Sequence, residues 1–563
     1  MSESPPSEPP PVAPGTKKGA AFWLSFVAVI VSIFLSALDL TAVATALPTI
    51  TEQLNGGEEF IWVGSAYALA STAILPLSGR LADIFGRKPI MLLSIAFFAV
   101  GSALAGAAQN MNMLIAARTV QGIGGGGIIN LSEIITSDLV PLAERGLYQG
   151  ILGLTWAFAS GIGPPIGGAF TEKASWRWLF YLNLPLSGIA FALVILFLKV
   201  RTPEGSILSK LARVDWFGNL IVIAGTTLAV IGLSWGGTTH PWDSAAVLVP
   251  LIVGLALVVV FIIYEAKVPR EPTIPWEVIS NRTSFSGYLA TLIHGITSIS
   301  IIYYLPVYFQ AALLSTPLRS SVQGFATALV IAPFAFFCGV MVQIQNKYRP
   351  ANAIGWVLTV IGFGLMTFLK ATSNVGQWVG FQFVASAGTG MIFAGTIFPI
   401  LAPLPVSRTA SALGFFAFLR AFAQTWGITI AGTILQNQLK KNLPAAFVTQ
   451  FPQGTQIAYA AIPVLHKLPD ALQLEVRIAF ATSMTVIWKV MIGISGLGLL
   501  TLPLLREVPM NQSTDENYGL QDKNKTVDVG NESGMTMEER TVEGNMVEEK
   551  AAEGATASNS MEK

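Results

Sequence analysis

The chain has 563 residues, of which 52% are hydrophobic and only 12% charged, with a mean hydropathy of +0.60; a soluble globular domain carries about twice that share of charge. A formal net charge of +1 provides no clustered basic face of the kind that neutralises phosphates, which excludes an extended nucleic-acid surface. The single cysteine, Cys338, excludes an intramolecular disulfide and a cysteine-based zinc cluster, so no metal or cofactor is expected.

Residues 1–20 are proline-rich and polar and are expected to be a disordered tail. The apolar run from Ala21 to Ala46 is too long for a cleavable signal segment and reads as a retained helix. Apolar windows near the bilayer-spanning length of about twenty residues fall at roughly 22–46, 61–79, 89–109, 113–135, 147–170 and 178–199. Two more follow at 215–235 and 246–266, and a last six at 286–309, 322–344, 351–370, 376–399, 409–436 and 483–505. The fold class is therefore all-α integral membrane, with fourteen spans in a six, two, six order. The linker carrying the extra pair covers 201–285, and 506–563 reads as a disordered acidic tail.

Between the second and third windows lies GRLADIFGRK, with Gly79, Arg80, Asp83, Gly86, Arg87 and Lys88 in what reads as a short water-facing loop. Loops rich in Lys and Arg stay in the cytoplasm. With this loop inside, most basic loop residues, among them Lys199, Arg201, Lys210, Arg213 and Arg408, fall on the same side, and both termini are cytoplasmic. The sequons at Asn511, Asn524 and Asn531 then lie inside and should stay unglycosylated.

A charge at the centre of a span costs about 2.5–3.5 kcal/mol on insertion scales and marks a pathway. Asp39 in the first span and Arg118 in the fourth sit at matching depths. They form either a pair whose protonation couples to conformation or a fixed structural pair. GIGGGG at 122–127 satisfies GxGxxG only formally, because a dinucleotide site needs a preceding strand; inside a span it reads as close helix packing. GIGPPIGG, with Gly161, Gly163, Pro164, Pro165, Gly167 and Gly168, should kink or soften the fifth span. Gln121, Trp156, His294, Tyr304, Tyr308, Gln310, Phe416, Arg420 and Trp426 are candidates for a substrate cavity; each alone also fits a core or interfacial position, Arg420 excepted, since a mid-span cation needs a polar surrounding. No phosphate loop, HExxH helix or nucleophile elbow is present, which leaves ATP hydrolysis and hydrolase chemistry without a carrier and an ion gradient as the energy source.

Together these motifs resemble the major facilitator superfamily, and within it the fourteen-span drug:proton antiporters. GRLADIFGRK is similar to that superfamily's loop 2 to 3 signature, RTVQGIGGGG to its span 4 motif, GIGPPIGG to the span 5 motif of antiporters, and LDLTAVATALP, SWRWLFYLNLP and YYLPVYFQ to segments of the fourteen-span branch. The resemblance covers Phe22 to Leu505. It implies two six-helix lobes, 21–200 and 286–505, rocking about a central cavity, and a monomer in the plasma membrane that exports small hydrophobic drugs or toxins against protons. It also implies that Asp83 meets the positive end of the helix starting near Thr409 and that Arg87 pairs with Asp138 or Glu133. The second copy of the loop signature, QIQNKYRP at 343–350, has kept basic residues and lost the acid. Competing readings are an importer, for example of iron chelates, which GIGPPIGG weighs against, and a transport-dead sensor, which would not need both Asp39 and Arg118.

Overall fold

The structure is a computed structural model that describes residues 18–54, 61–237, 240–269, 271–448, 457 and 461–510. The tail residues 1–17 and 511–563, with the three sequons, lie outside the described residues. Without water to satisfy backbone N–H and C=O groups, an apolar chain closes its own hydrogen bonds as helix. Fourteen helices of 18 residues or more result among the described residues. They are α1 (Ala20–Gln53), α2 (Ile61–Phe85), α3 (Arg87–Gly106), α4 (Met111–Leu139), α5 (Arg145–Lys173), α6 (Arg177–Phe197), α7 (Trp216–Trp235), α8 (Ala245–Lys267), α9 (Arg282–Ala311), α10 (Pro317–Gln345), α11 (Arg349–Met366), α12 (Val375–Gly395), α13 (Thr409–Asn442) and α14 (Asp470–Leu499).

Eleven of these helices are long and apolar enough to cross a membrane. The other three are α4, α5 and α11. Helix α4 falls short because its polar and glycine residues point into protein: Arg118, Gln121, Asn130, Glu133 and Asp138 are all buried on it. Helix α8 shows the opposite balance, since it is strongly apolar yet only 17% of its apolar window is buried; Val249, Ile252, Val259 and Ile263 are exposed and suited to lipid.

Two sets of six helices pack within themselves. In the first, α1 lies against α4, α5 and α6, and α4 is held between α2 and α3. In the second, α9 lies against α13 and α14, and α12 against α10 and α11. The sets meet along two seams, α5 with α10 and α2 with α13. Helices α7 and α8 pair with each other, and α7 also touches both α2 and α13, so the inserted pair leans on one of these seams.

Close approach depends on missing Cβ atoms. A Cβ on Gly339 of α10 would overlap the backbone of Gly146 on α5. Along GIGGGG, one on Gly124 would run into Phe98 of α3 and one on Gly126 into Ser71 of α2, so this run is helix packing in the middle of α4.

Several expected boundaries shift. GRLADIFGRK is not a loop: α2 continues through Phe85, α3 begins at Arg87, and Gly86 alone breaks the helix at φ 95° and ψ 156°. Only glycine holds that conformation without strain, and a Cβ would also fall 2.9 Å from Thr202 Cγ2. Helix α5 runs unbroken through Pro164 and Pro165. Helix α14 starts at Asp470 rather than near 483; Arg477 in its added turns donates to Ala312 O and Ala371 O at 2.8 Å each. The tail does not begin as free chain at Arg506: the Tyr348 hydroxyl donates to Arg506 O at 2.6 Å and accepts from Val508 N at 2.9 Å, and Met510 is buried.

Gly339→Val should push α5 and α10 apart and lower stability by about 1–3 kcal/mol, the usual cost of overpacking, read as a lower unfolding temperature of the full chain in detergent. Gly493→Ala, which meets nothing within 4 Å, should leave that temperature unchanged.

Candidate functional site

Two polar clusters interrupt the apolar interior. The first lies inside the first helix set. Asp39 on α1 and Arg118 on α4 are 3% and 1% exposed, and Arg118 Nη1 donates to Asp39 Oδ2 at 2.6 Å. The other carboxylate oxygen, Oδ1, accepts from Gln121 Nε2 at 2.9 Å and from Asn183 Nδ2 of α6 at 2.7 Å. The guanidinium also donates to Gln121 Oε1 at 2.6 Å and to Val63 O at 3.1 Å, and its carbon lies 4.5 Å from the centre of the Tyr67 ring. Ser102 of α3 accepts from Gln121 at 2.7 Å, and the Tyr67 hydroxyl meets Ser36 Oγ at 3.0 Å. Five helices of one set therefore converge on one carboxylate. Sequence reasoning missed Asn183, Ser102 and Tyr67; Asn183 had a signal, as an amide in the apolar segment SWRWLFYLNLP.

The second cluster holds the two helix sets together at the end of the bundle marked by Gly86. Asp83 near the end of α2 accepts from Ser411 Oγ, in the first turn of α13, at 3.2 Å, where the positive end of a helix favours a carboxylate. Its other oxygen accepts from Arg87 Nη1 at 2.9 Å, while Arg87 Nε donates to Asp138 at 2.7 Å. Arg87 thus spans Asp83 and Asp138, and Glu133 is not its partner. Glu133 instead accepts from Arg420 Nη1 across the seam at 3.3 Å, with the Arg420 guanidinium 4.3 Å and 4.1 Å from the ring centres of Phe393 and Phe416. The sets approach closely at Gly79, where a Cβ would lie 3.2 Å from Ala410 O.

Arg80 and Lys88 do not reach α13. Arg80 forms an ion pair with Glu271, in the segment after α8, and Glu271 also holds Arg213 at 3.0 Å. Burial acts to raise the Glu271 carboxyl, but its bonds to Arg213 and the charge of Arg80 outweigh it and hold it below the ordinary range. That pairing is present at neutral pH and is lost as the pH falls through the lowered value. Lys88 donates to Ile195 O at the end of α6 at 2.7 Å. In the second half, the acid missing from QIQNKYRP comes from elsewhere in the chain: Glu507 accepts from Arg349 N at 2.8 Å and from Tyr348 N at 3.3 Å, capping α11.

The antiporter-type glycines divide between two neighbours. Gly161 faces Phe325 of α10 and Gly163 faces Thr41 of α1, Gly167 is buried, and Gly168 meets nothing within 4 Å. The candidate cavity residues do not form one group. Gln121 is enclosed in the Asp39 cluster, and Trp156 packs partly buried near Ala37 and Leu38. His294 is buried with Nε2 3.0 Å from Thr389 O, Tyr304 donates to Ile428 O at 2.7 Å, and Tyr308 donates to Lys370 O at 2.8 Å. Gln310 donates to Ser320 Oγ at 3.4 Å, and Trp426 lies edge-on to Phe422. Of these residues, Arg420 and Phe416 stand at the seam between the helix sets.

Comparison with known proteins matches residues 29–428 to the model of the Major Facilitator Superfamily. The chain is 39% identical to the MFS-type efflux pump LUC4 of a Fusarium species over 537 residues, covering 94% of this chain and 95% of that one. It is 39% identical to the efflux pump FUS6 of Gibberella fujikuroi, covering 96% and 97%. It is also 39% identical to the acurin A biosynthesis cluster MFS-type transporter of Aspergillus aculeatus, covering 90% and 93%. The structure of the human organic anion transporter MFSD10 aligns with a TM-score of 0.55 at 14% identity, covering 86% of this chain and all of that one, a likeness of fold.

Replacing Arg118 by Met leaves a buried carboxylate without its cation and should cost about 3–5 kcal/mol, measured by denaturant unfolding of the purified chain. Adding Asp39→Asn should restore most of that loss; a double variant as unstable as the single one would show that the two residues are not an energetic unit.

Proposed function

The chain belongs to the major facilitator superfamily, and from that membership we propose that it is a secondary active efflux transporter, exporting small hydrophobic compounds such as secreted metabolites or toxins in exchange for protons. Relatives named efflux pumps align along nearly their whole length, which supports export over import. The observation that carries proton coupling is the buried Asp39–Arg118 pair with its shell of amide donors. A proton on Asp39 removes the charge that holds Arg118, and the released guanidinium must find other partners, which shifts the packing of α1 against α4.

On this reading all fourteen long helices span the plasma membrane of a monomer, both termini are cytoplasmic, and the lobes over 21–200 and 286–505 rock about the two seams. The Asp83–Ser411 and Glu133–Arg420 contacts form only while the cytoplasmic ends of the lobes meet, so they stabilise an outward-facing state. The cargo enters between the lobes near Arg420 and Phe416. One pH unit contributes about 1.4 kcal/mol and a potential of 100 mV about 2.3 kcal/mol per proton. For neutral cargo exchanged one for one, that sustains a gradient of roughly several hundredfold.

Proteoliposomes holding the full chain should accumulate a hydrophobic dye against its gradient when a pH difference is imposed, and Asp39→Asn should abolish that accumulation while leaving dye equilibration intact. Accumulation that persists in Asp39→Asn removes the coupling role. Asp83→Asn should raise cysteine labelling at cytoplasm-facing seam positions, and unchanged labelling would remove Asp83 from the latch.

A further inference from the structure

The inserted helices carry an acidic pair, a buried Glu265 beside a partly buried Asp215, that neither cluster above accounts for. Asp215 caps α7: its Oδ1 accepts from Gly218 N at 2.9 Å and from the Tyr264 hydroxyl at 3.2 Å. Glu265, two residues before the end of α8, is only 5% exposed, and its Oε2 accepts from Ile274 N at 3.2 Å. The remaining oxygens, Asp215 Oδ2 and Glu265 Oε1, are both buried and receive no hydrogen bond from the described residues. They share the small volume above the Gly218 Cα, where an added Cβ would overlap Asp215 Oδ2 and lie 2.9 Å from Glu265 Oε1. Both oxygens thus approach one point.

Two ionised carboxylates cannot face each other in such a place, where burial and mutual repulsion both oppose the second charge. Of the neighbouring cations, Arg213 and Arg80 both pair with Glu271, and Lys267 is exposed. Tyr264 on α8 contributes a hydroxyl and Thr273 in the segment beyond its backbone N–H, α13 contributes the apolar ring of Phe415, and Arg270 lies outside the described residues. We propose that Asp215 and Glu265 form a second proton-binding site, in which Glu265 carries a proton and donates it to Asp215 Oδ2. The assignment within the pair follows from geometry. Asp215 sits at the positive end of α7 with two donors on its other oxygen, the arrangement that suits an ionised carboxylate, whereas Glu265 lines a mainly apolar cavity with Phe261, Ile274, Ile279 and Phe415.

The site lies beside the segment that joins the two helix sets. Ile274 N is bonded to Glu265, and Asn219 of α7 donates to the buried Thr273 at 2.8 Å. Within the same segment Glu271 holds Arg80 of α2, and Glu277 holds Arg408 just before α13 at 3.2 Å. Loss of the Glu265 proton to solvent places two negative charges side by side, drives the ends of α7 and α8 apart, and lifts Thr273 and Ile274 with the Arg80–Glu271 pair. The segment is thus a pH-sensitive strap over the α2–α13 seam, independent of Asp39 and of which compound is carried.

The test uses the full chain with Cys338 replaced by alanine, purified in detergent. Infrared spectra across a pH titration should show the carbonyl stretch of a buried protonated carboxyl that disappears at high pH and is absent from Glu265→Gln. With Thr273→Cys as the reporter, labelling by a water-soluble maleimide should rise several-fold over the same pH interval, and it should stay low when Glu265→Gln is added. Asp215→Asn removes the like charge and serves if Glu265→Gln fails to fold; there too labelling should stay low at high pH. A spectrum in which the band survives Glu265→Gln overturns the site. Labelling that ignores pH, or rises equally in both variants, overturns the strap.

Discussion

A guanidinium or carboxylate withdrawn from water into this helix bundle has to meet its complement there, since one left alone costs several kcal/mol. That demand fixes which helices lie side by side. Asp39 draws α1, α4 and α6 together through Arg118, Gln121 and Asn183. Arg87 ties the break between α2 and α3 to the end of α4. Arg420 and Glu133 do the same across the two helix sets. The apolar surfaces supply bulk attraction to lipid and to one another, which has no direction; the paired charges and the close-packed glycines supply the direction.

The pairs differ in what releasing them would change. Asp39 and Arg118 are closed off within one helix set, so a change of charge there acts first on the internal packing of that set. Asp83 with Ser411 and Glu133 with Arg420 cross between sets, so they are made or broken only when the sets move. The inserted helices stand in contact with both, because α7 lies against α2 and α13. The segment after α8 engages Arg80 and Arg408, one from each side of the seam. Two helices that look from their exposed apolar faces like passive lipid-facing additions are therefore joined to the seam that Asp83 and Arg420 cross.

The loop signature and its degenerate repeat illustrate how similar ends are built from different sources. In the first half the acids are local: Asp83 and Asp138 flank Arg87. In the second half QIQNKYRP has none, and Glu507, more than 150 residues later, caps α11 in their place. Counting charges within a motif read that loop as stripped of acid. The acid that caps α11 stands instead in the segment after the last helix, where it ties down residues that composition alone assigned to a free tail.

Much of this was written in the order of the residues. Long apolar runs with no water to serve their backbone must be helices, so the position of nearly every long helix followed from the sequence, as did the pairing of Asp39 with Arg118 and the reading of GIGGGG as packing. What the sequence did not contain was the partner of each polar group when that partner lies on another helix. Arg420 announced that it needed a polar surrounding, but not that Glu133 and two phenylalanine rings provide it. GRLADIFGRK looked like a solvated loop because its charges were counted without the residues that bury them; Asp138 and Glu271 let α2 stay helical to Phe85 and leave Gly86 as the single break. Helical periodicity and hydropathy are local quantities, and they set where the long helices form. Which charges meet depends on contacts hundreds of residues apart, and only the packed bundle decides them.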